Sequence, residues 1–470
     1  MSFFKAYDMR GTFGVDFDLS TVRKVGRALP QVLSRANGEC GGAAPRILVG
    51  RDCRTTSEAV RDALVAGLRE AGAEVTDLGL CTTPMVYFFT AEENFDGSVM
   101  ITASHNPPSD NGLKVSMRTS LPVGYANGLD EVERLVQCAD EPAGGRPAEG
   151  TAASPVRDAR ARYIAWMRSR VPASCLSSLR FAVDCSNGMS SLLVHELFPG
   201  AMVINDTLDG TFPNHSPNPL KAEAREQAAA LVREKGLDCG VIFDGDADRC
   251  MFVDERGEFV QPDYLIPVVA EATLRFAGED VGRETGDAGD RPRVIHDVRT
   301  SRGAIEALRR MGCEPVMVPV GHAFAKPILR EIGAVCGGEL AGHYYFREFH
   351  GCDSGVLAAL RILEEIARAK AAGRTFSAMM KPISGAYANS GELNFKVADK
   401  DAAIARVLAA AAERLPAEVS RSEMDGIRLE YADGWVNIRK SNTEPFLRLI
   451  VERRESVGEW VGLLSAAVAG

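Results

Sequence analysis

A serine, a histidine and a lysine in one short segment could together carry out group-transfer chemistry: Ser104, His105 and Lys114. Residues 99–101 are apolar and predict the end of a buried strand, so the serine follows directly where this strand leaves its sheet. A loop stiffened by two prolines comes next, with an Asn-Gly turn signal at residues 111–112. We expect this scaffold to present Ser104 as an exposed side chain on which His105 and Lys114 converge. No Gly-x-Ser-x-Gly elbow surrounds it, so a hydrolase serine is not favoured.

Three carboxylates stand at alternate positions directly after another apolar run: Asp244, Asp246 and Asp248. Oxygen ligands of this kind suit a hard cation such as Mg²⁺ or Ca²⁺. An EF-hand is not favoured, because Arg249 stands where that loop needs its sharp-turn glycine and a strand precedes it. Protein-bound Mg²⁺ usually keeps positions open for phosphate oxygens, so this loop predicts a phosphoryl partner, and Ser104 is a candidate to carry one.

Two further polar loops follow predicted strands. In residues 337–343, Glu339 and His343 lie on a glycine-rich turn and could bind adjacent sugar hydroxyls. The alternative there is a tight turn with Glu339 exposed. In residues 439–445, two cations precede small hydrogen-bonding side chains and backbone amides, which suits a phosphate group. The alternative for this loop is a polar hairpin.

Two weaker candidates lie outside these loops. Arg10, with Lys5 close by, belongs to a small polar cluster near the N-terminus that could equally be surface charge. His322 could donate a hydrogen bond in a pocket or be an ordinary loop histidine.

The composition narrows the class of protein. With 470 residues, of which 46% are hydrophobic and 25% charged, the chain is expected to be globular and to have several domains. Its formal net charge of -10 argues against broad nucleic-acid binding. The N-terminus lacks a signal-peptide pattern and no run is apolar enough to span a membrane. The cysteines are scattered without a Cys-x-x-Cys pair, which predicts reduced thiols and a cytoplasmic protein.

Alternating strand and helix patterns predict three α/β domains at residues 1–150, 151–253 and 254–374. Residues 140–155, rich in Gly, Ala and Pro, mark the first boundary. Half-exposed strands and two helices predict a separate α+β domain with an antiparallel sheet at residues 375–470.

Taken together, the four loops resemble those of the α-D-phosphohexomutase superfamily, most closely its bacterial phosphomannomutase/phosphoglucomutase branch. The resemblance covers nearly the whole chain, and the motifs come in the family's order. Residues 102–107 resemble its phosphoserine loop, 244–249 its Mg²⁺ loop, 338–343 its sugar-selecting loop and 439–443 its phosphate loop. The opening residues, 4–11, resemble the phosphomannomutase branch rather than phosphoglucosamine mutases.

The resemblance implies an α/β fold with three similar mixed-sheet domains and a C-terminal α+β domain of TATA-binding-protein-like topology, arranged around a central cleft. It also implies a reaction. Phosphorylated Ser104 donates its phosphoryl group to a hexose 1- or 6-phosphate, of mannose and/or glucose, and a hexose 1,6-bisphosphate forms in the cleft. The other phosphate then returns to Ser104. The resemblance further implies Mg²⁺ as cofactor and a hexose 1,6-bisphosphate as activator.

The same resemblance assigns roles to the candidate residues. Ser104 and the three aspartates would hold the metal, while Lys114 and Arg249 stabilise the transferring group. His105 would shape the loop and Arg10 would reach the phosphoserine. Either Lys114 or His343 could assist the removal of the proton from the attacking sugar hydroxyl. The residues implied in substrate binding are Glu339, His343, His322, Arg439, Ser441, Asn442 and Thr443.

One position departs from the family pattern, because Ala341 stands where the sugar loop usually carries serine. The loss of one hydrogen bond of about 0.5–1.5 kcal/mol would alter substrate preference without abolishing the pocket. Three alternatives stay open: a phosphoglucosamine mutase, a non-catalytic sugar-phosphate-binding protein on the same scaffold, and a phosphatase-like enzyme. We expect a monomer or a small homo-oligomer.

Overall fold

The structure, a computed structural model, describes residues 3–38, 44–139, 154–156, 158–171, 173–278, 291–441 and 446–470. Within these residues the strands form four sheets that follow one another along the chain. One large apolar cluster contains residues from the first three sheets, and the fourth sheet has a core of its own. In the described part of the chain, no helix combines the length and the apolar character that crossing a membrane requires.

The first sheet has the strand order β1-β5-β4-β2-β3-β6. Its inner strands β2 and β4 are almost wholly buried, as expected of parallel strands covered by helices on both faces. The elements of this region are β1 (Met9–Thr12), α1 (Leu19–Ala36), β2 (Arg46–Arg51), α2 (Ser57–Glu70), β3 (Glu74–Leu80), α3 (Thr83–Glu92), β4 (Gly97–Ile101), β5 (Asp110–Met117), α4 (Leu129–Cys138) and β6 (Ser154–Pro155).

The predicted turn at residues 111–112 is wrong. Both residues lie in β5, where Asn111 pairs with Gly11 and Gly112 with Arg10 of β1. The chain turns earlier, at a position where the Asp110 amide donates to the carbonyl oxygen of Pro107. An Asn-Gly pair is a local signal, and pairing with a distant strand overrides it.

The second sheet has the order β11-β10-β9-β7-β8, and the third has the order β13-β12-β14-β15-β16. The elements of the second region are α5 (Ala159–Arg170), β7 (Phe181–Asp184), α6 (Val194–Leu197), β8 (Met202–Ile204), α7 (Glu223–Lys235), β9 (Cys239–Phe243), β10 (Cys250–Asp254) and β11 (Phe259–Val260). Those of the third are α8 (Ile266–Phe276), β12 (Arg293–Asp297), α9 (Arg302–Arg310), β13 (Glu314–Val318), α10 (His322–Glu331), β14 (Cys336–Gly338), β15 (Tyr344–Phe346), β16 (Cys352–Asp353) and α11 (Gly355–Ala371).

The first three sheets share one topology. In each, three parallel strands are followed by an antiparallel strand, as in β3-β2-β4-β5, β8-β7-β9-β10 and β13-β12-β14-β15. The connection from the third parallel strand to the antiparallel strand is residues 102–109, 244–249 and 339–343, respectively. We call these connections the serine loop, the acidic loop and the sugar loop. Three motifs that look unrelated in sequence therefore occupy equivalent positions in the fold.

The fourth sheet has the order β17-β22-β21-β20-β19, with β18 also paired to β22, and all its pairings are antiparallel. Helices α13 and α14 bury apolar residues against it. The elements are α12 (Phe376–Ser384), β17 (Ala388–Asn389), β18 (Leu393–Phe395), α13 (Lys400–Arg414), β19 (Ser420–Ser422), β20 (Ile427–Tyr431), β21 (Gly434–Lys440), β22 (Leu447–Arg453) and α14 (Gly458–Ala469).

The domain boundaries that the sequence suggests at residues 150, 253 and 374 stay predictions. Two observations bear on where the regions meet. The strand β6 completes the first sheet by pairing with β3, and α12 buries Phe376 and Met380 in the large core of the preceding regions.

Candidate active site

Ser104 lies where the serine loop meets the acidic loop. Its backbone is held in the left-handed region at φ 49°, and its amide donates to the Thr102 hydroxyl at 2.8 Å. The Ser104 hydroxyl donates to Asp244 Oδ2 at 2.8 Å, and His105 Nδ1 lies 3.3 Å from Ser104 Oγ. The predicted exposure of Ser104 is wrong, since only 1% of the residue is accessible. It is covered because Gly245 packs so closely that a Cβ there would lie 2.5 Å from the Ser104 carbonyl oxygen.

The three aspartates of the acidic loop form a buried cluster. Asp244, Asp246 and Asp248 are inaccessible, and one carboxylate oxygen of each lies within 4.8 Å of the others. The Oδ1 atoms of Asp246 and Asp248 are buried and have no hydrogen-bond partner among the described residues. Burial and the two neighbouring carboxylates raise the pKa of Asp244 well above its ordinary value. Unpartnered buried oxygens on an all-oxygen donor set fit a hard divalent cation.

Lys114 belongs to this cluster. Its Nζ lies 2.7 Å from Asp246 Oδ2 and 2.6 Å from Asp248 Oδ2. Burial opposes the charge, but the two carboxylates outweigh it and raise the pKa of Lys114 above its ordinary value. The guanidinium of Arg249 is more distant, with Nε 3.7 Å from Asp244 Oδ2. Both predicted cations are therefore beside the acidic loop, and Lys114 is held as an ammonium.

Arg10 reaches the serine loop from β1. Its Nη1 donates to Asn106 Oδ1 at 3.1 Å, and its Nη2 pairs with Asp8. Arg10 therefore lies beside the serine loop and is not an isolated surface charge.

The sugar loop joins the acidic loop through its backbone. Arg249 and His343 form an antiparallel bridge, and the Cys250 amide donates to the Gly342 carbonyl at 3.3 Å. Glu339 is only 1% accessible, so the alternative of an exposed Glu339 is wrong. The Glu339 carboxylate accepts from the Tyr345 hydroxyl, and burial raises its pKa.

His343 is oriented by a carboxylate that sequence reasoning missed. Its Nδ1 donates to Asp353 Oδ2 at 2.7 Å, and the other oxygen of Asp353 lies 2.8 Å from Lys326 Nζ. Burial opposes ionisation of Asp353, but Lys326 and His343 outweigh it and hold its pKa well below the ordinary value. This arrangement leaves His343 Nε2 as the ring nitrogen available to a substrate.

His322 lies at the start of α10, with its ring 6.3 Å from that of His343. Its Nδ1 is buried without a hydrogen-bond partner among the described residues. Burial and the ammonium of Lys326 lower the pKa of His322 well below its ordinary value, so the ring is neutral.

A cluster of arginines lies where the third and fourth regions meet. Glu392 bridges three of them: it lies 3.1 Å from Arg439 Nη2, 3.0 Å from Arg448 Nη1 and 3.5 Å from Arg299 Nη1. Arg299 also pairs with Asp297 and lies 3.8 Å from Glu339. The arginine cluster therefore reaches the sugar loop.

Of the predicted phosphate loop, residues 439–445, the structure describes residues 439–441. The Ser441 amide donates to the Phe446 carbonyl at 2.9 Å, while Asn442 and Thr443 lie outside the described residues. Glu392, Arg448, Asp353 and Lys326 were not found from sequence, because isolated charged residues give no local signal of which partner they meet.

Profiles of a known family match the chain in four consecutive segments. They are described as phosphoglucomutase/phosphomannomutase alpha/beta/alpha domain I at residues 1–142, domain II at 161–257, domain III at 262–385 and the C-terminal domain at 392–461. A protein of Xanthomonas campestris named "Phosphohexose mutases" is 38% identical, covering 96% of this chain and 95% of that protein. The chain belongs to the phosphoglucomutase/phosphomannomutase family.

Other members of the family support the same assignment. A phosphomannomutase of Salmonella montevideo is 36% identical, covering 97% of this chain and 95% of that protein. The crystal structure of a phosphoglucomutase/phosphomannomutase family protein from Burkholderia thailandensis matches with a TM-score of 0.81 at 28% identity, covering 100% of this chain and 98% of that one. Membership confirms the predicted family, the four-domain fold and the hexose phosphate mutase function, which is an isomerase activity.

Proposed function

We propose that this member of the family interconverts the 1- and 6-phosphates of mannose and/or glucose, with Ser104 as the phosphoryl carrier and a bound hexose 1,6-bisphosphate as intermediate. The observation that carries the proposal is the contact between Ser104 Oγ and Asp244 Oδ2 at 2.8 Å. It joins a hydroxyl that can carry phosphate to a buried cluster of carboxylates suited to a cation.

Asp244, Asp246 and Asp248 would hold Mg²⁺ together with an oxygen on Ser104. When bound, the cation would neutralise negative charge on the transferring phosphoryl group. Lys114 and Arg249 add fixed positive charge on the same side of Ser104. Arg10 contacts the serine loop, and His105 within that loop lies beside Ser104 Oγ, so both would orient the phosphoryl group on Ser104.

Of the two candidate acceptors for the proton of the attacking sugar hydroxyl, Lys114 and His343, only one is suitable. Lys114 is bonded to two carboxylates that keep it protonated, so it can stabilise charge but cannot accept a proton. His343 has its Nδ1–H bonded to Asp353, which leaves Nε2 free to accept. We therefore assign the proton to His343 Nε2, while the bond from phosphorus to Ser104 Oγ breaks and the bond to the sugar oxygen forms.

Substrate binding follows from the sugar loop and the arginine cluster. Glu339 and His322 would bind sugar hydroxyls. Arg439, Arg299 and the loop that begins at Ser441 would hold the phosphate that does not react, because two buried guanidinium groups match a phosphate dianion. Asn442 and Thr443 are proposed there from the family resemblance. Hexose 1,6-bisphosphate would act as activator by phosphorylating Ser104.

The test compares the phosphates of mannose, glucose and glucosamine in a coupled assay with Mg²⁺ and a bisphosphate activator. We expect turnover of the mannose and/or glucose phosphates, one added phosphate on Ser104 by mass spectrometry, and no turnover by Ser104→Ala. Preference for glucosamine phosphates would favour a phosphoglucosamine mutase. Binding without turnover would favour a sugar-phosphate-binding protein, and steady release of free phosphate would favour a phosphatase. The cytoplasmic location and a monomer or small homo-oligomer stay predictions.

A further inference from the structure

Arg54 binds the backbone of the serine loop through hydrogen bonds to its carbonyl groups. It lies between β2 and α2, and its side chain is fully buried. Its Nη1 donates to the carbonyl oxygens of Pro107 at 2.6 Å and Asp110 at 2.9 Å. Its Nη2 donates to those of Ser104 and Asn106, each at 2.8 Å. Four donors of one guanidinium thus bind four carbonyl groups, three in the serine loop and that of Asp110, the first residue of β5.

The guanidinium is itself held in place from two sides. Asp52 Oδ2 lies 3.2 Å from Nε, while Asp52 Oδ1 accepts from the Arg54 amide and from the Ser57 hydroxyl. On the other side, the ring of Phe212 lies 5.1 Å from the guanidinium carbon. Gly210, in the same segment as Phe212, packs so tightly that a Cβ would lie 2.3 Å from the Cys53 carbonyl oxygen. A segment of the second region therefore covers Arg54.

The serine loop needs such support because its conformation is not the one a free chain prefers. Ser104 has φ 49°, a region that costs a non-glycine residue free energy and persists only where the surroundings impose it. Its carbonyl is one of the four that Arg54 holds. Fixing that carbonyl fixes the backbone from which the Ser104 side chain extends, and so supports the 2.8 Å contact of Oγ with Asp244.

We propose that Arg54 is a positioning residue for phosphoryl transfer, which holds the serine loop so that Ser104 faces the acidic loop and contacts no reacting atom itself. The proposal rests on the proposed function of Ser104. It requires the planar fork of arginine, since lysine carries its three donors on one nitrogen and cannot reach four carbonyl groups.

The first test is Arg54→Lys, which retains the charge and loses the fork. A displacement of the reacting group by about 1 Å costs about 100-fold in rate, so we expect kcat to fall by about that factor while KM changes less than about threefold. The matched control is Arg61→Lys on α2, whose guanidinium pairs with Asp77 outside the loop. It should leave kcat within about twofold of the parent.

The second test is hydrogen–deuterium exchange of peptides spanning residues 102–113, which needs no turnover. We expect exchange in Arg54→Lys to be at least about tenfold faster than in the parent and in Arg61→Lys. Should Arg54→Lys not fold, Phe212→Leu removes only the covering ring and should also speed exchange in this segment. Unchanged exchange in the folded variants overturns the proposal.

Rescue separates positioning from a general loss of structure. Millimolar guanidinium should raise the kcat of Arg54→Ala at least about fivefold, and methylammonium should leave the kcat of this variant unchanged. Equal restoration by both cations overturns the need for a fork. If the parent enzyme turns over no hexose phosphate, the proposed function fails, and the exchange measurement still decides whether Arg54 holds the loop.

Discussion

Asp353→Asn tests the proposal that His343 Nε2 accepts the proton of the attacking sugar hydroxyl. In the parent, Asp353 accepts from His343 Nδ1 at 2.7 Å and pairs with Lys326 at 2.8 Å. An asparagine has one oxygen for these two neighbours. Because the ammonium of Lys326 has donors only, the amide oxygen turns toward Lys326 and the NH₂ group toward His343.

This orientation reverses the tautomer of His343. Its Nδ1 must then accept from the amide, so the ring hydrogen moves to Nε2, which can no longer take a proton from the sugar. A lost general base costs about 10²–10⁴ in kcat, or about 2.7–5.5 kcal/mol of transition-state stabilisation. The variant also loses a buried charge pair worth about 3–5 kcal/mol of stability, so its folding must be checked by thermal unfolding.

The assay is kcat for hexose phosphate conversion, together with ¹H–¹⁵N spectra of histidine-labelled protein that report which ring nitrogen of His343 is protonated. In the double variant Asp353→Asn/Lys326→Met, no ammonium holds the oxygen of Asn at position 353, so this oxygen can turn to accept from His343 Nδ1. The kcat of the double variant should therefore be at least about tenfold higher than that of Asp353→Asn alone. Asp433→Asn, which weakens a surface pair with Arg453, is the control and should leave kcat unchanged. A kcat of Asp353→Asn within about fivefold of the parent refutes the reasoning, as does a double variant no faster than the single one.

Four other changes test separate parts of the structure. Arg439→Met should raise KM for hexose phosphates by about 10–150-fold with little change in kcat. The reason is the loss of a charge-assisted hydrogen bond to the nonreacting phosphate, which is worth about 1.5–3 kcal/mol. An unchanged KM would show that this phosphate does not bind at Arg439. Ala341→Ser should shift the ratio of kcat/KM between mannose and glucose phosphates by about 2–12-fold, measured by competition. Chelation of divalent cations should stop phosphoryl transfer from Ser104, Mg²⁺ should restore it, and activity that survives thorough chelation would contradict the metal assignment. Burial raises the pKa of Asp263 to about 7, so between about pH 4 and 7 the native state keeps the carboxyl proton of Asp263 and the unfolded state has lost it. The free energy of unfolding should therefore fall as the pH rises through this range, by up to about 1.4 kcal/mol per pH unit. The variant Asp263→Asn should lack this part of the pH dependence.

The loops of the candidate site could be recognised from sequence because the pattern of each one is local. A serine after an apolar strand, alternating aspartates and a glycine-rich turn with Glu339 and His343 are all signals within a few residues. The alternation of strands and helices that predicts three α/β domains is also a local apolar periodicity, and the first three sheets confirm it. The antiparallel sheet predicted for the fourth region is confirmed. The expectation of half-exposed strands is wrong for β21 and β22, which are largely buried, because the Arg302 amide of the third region donates to Glu452 of β22 at 2.8 Å and covers that face. The region also holds a third helix, α12, besides the two that were expected.

The residues that support these loops could not be recognised. Arg54, Asp353 and Glu392 are ordinary charged residues in the sequence, and each acts on a partner at least about 10 positions away. The exposure expected of Ser104 failed for the same reason, since it is Gly245 of another region that covers it.

The sequence by itself determined which chemical groups this protein brings to its cleft: a serine, three aspartates, a glutamate, histidines and arginines on short loops. Only the tertiary structure decided how they act together. It places three loops at equivalent positions of three similar sheets, so that Ser104 meets Asp244 and Arg249 bridges to His343. It also buries Lys114 between two carboxylates and pairs His343 Nδ1 with Asp353, because the neighbours of a buried group are not specified by local sequence.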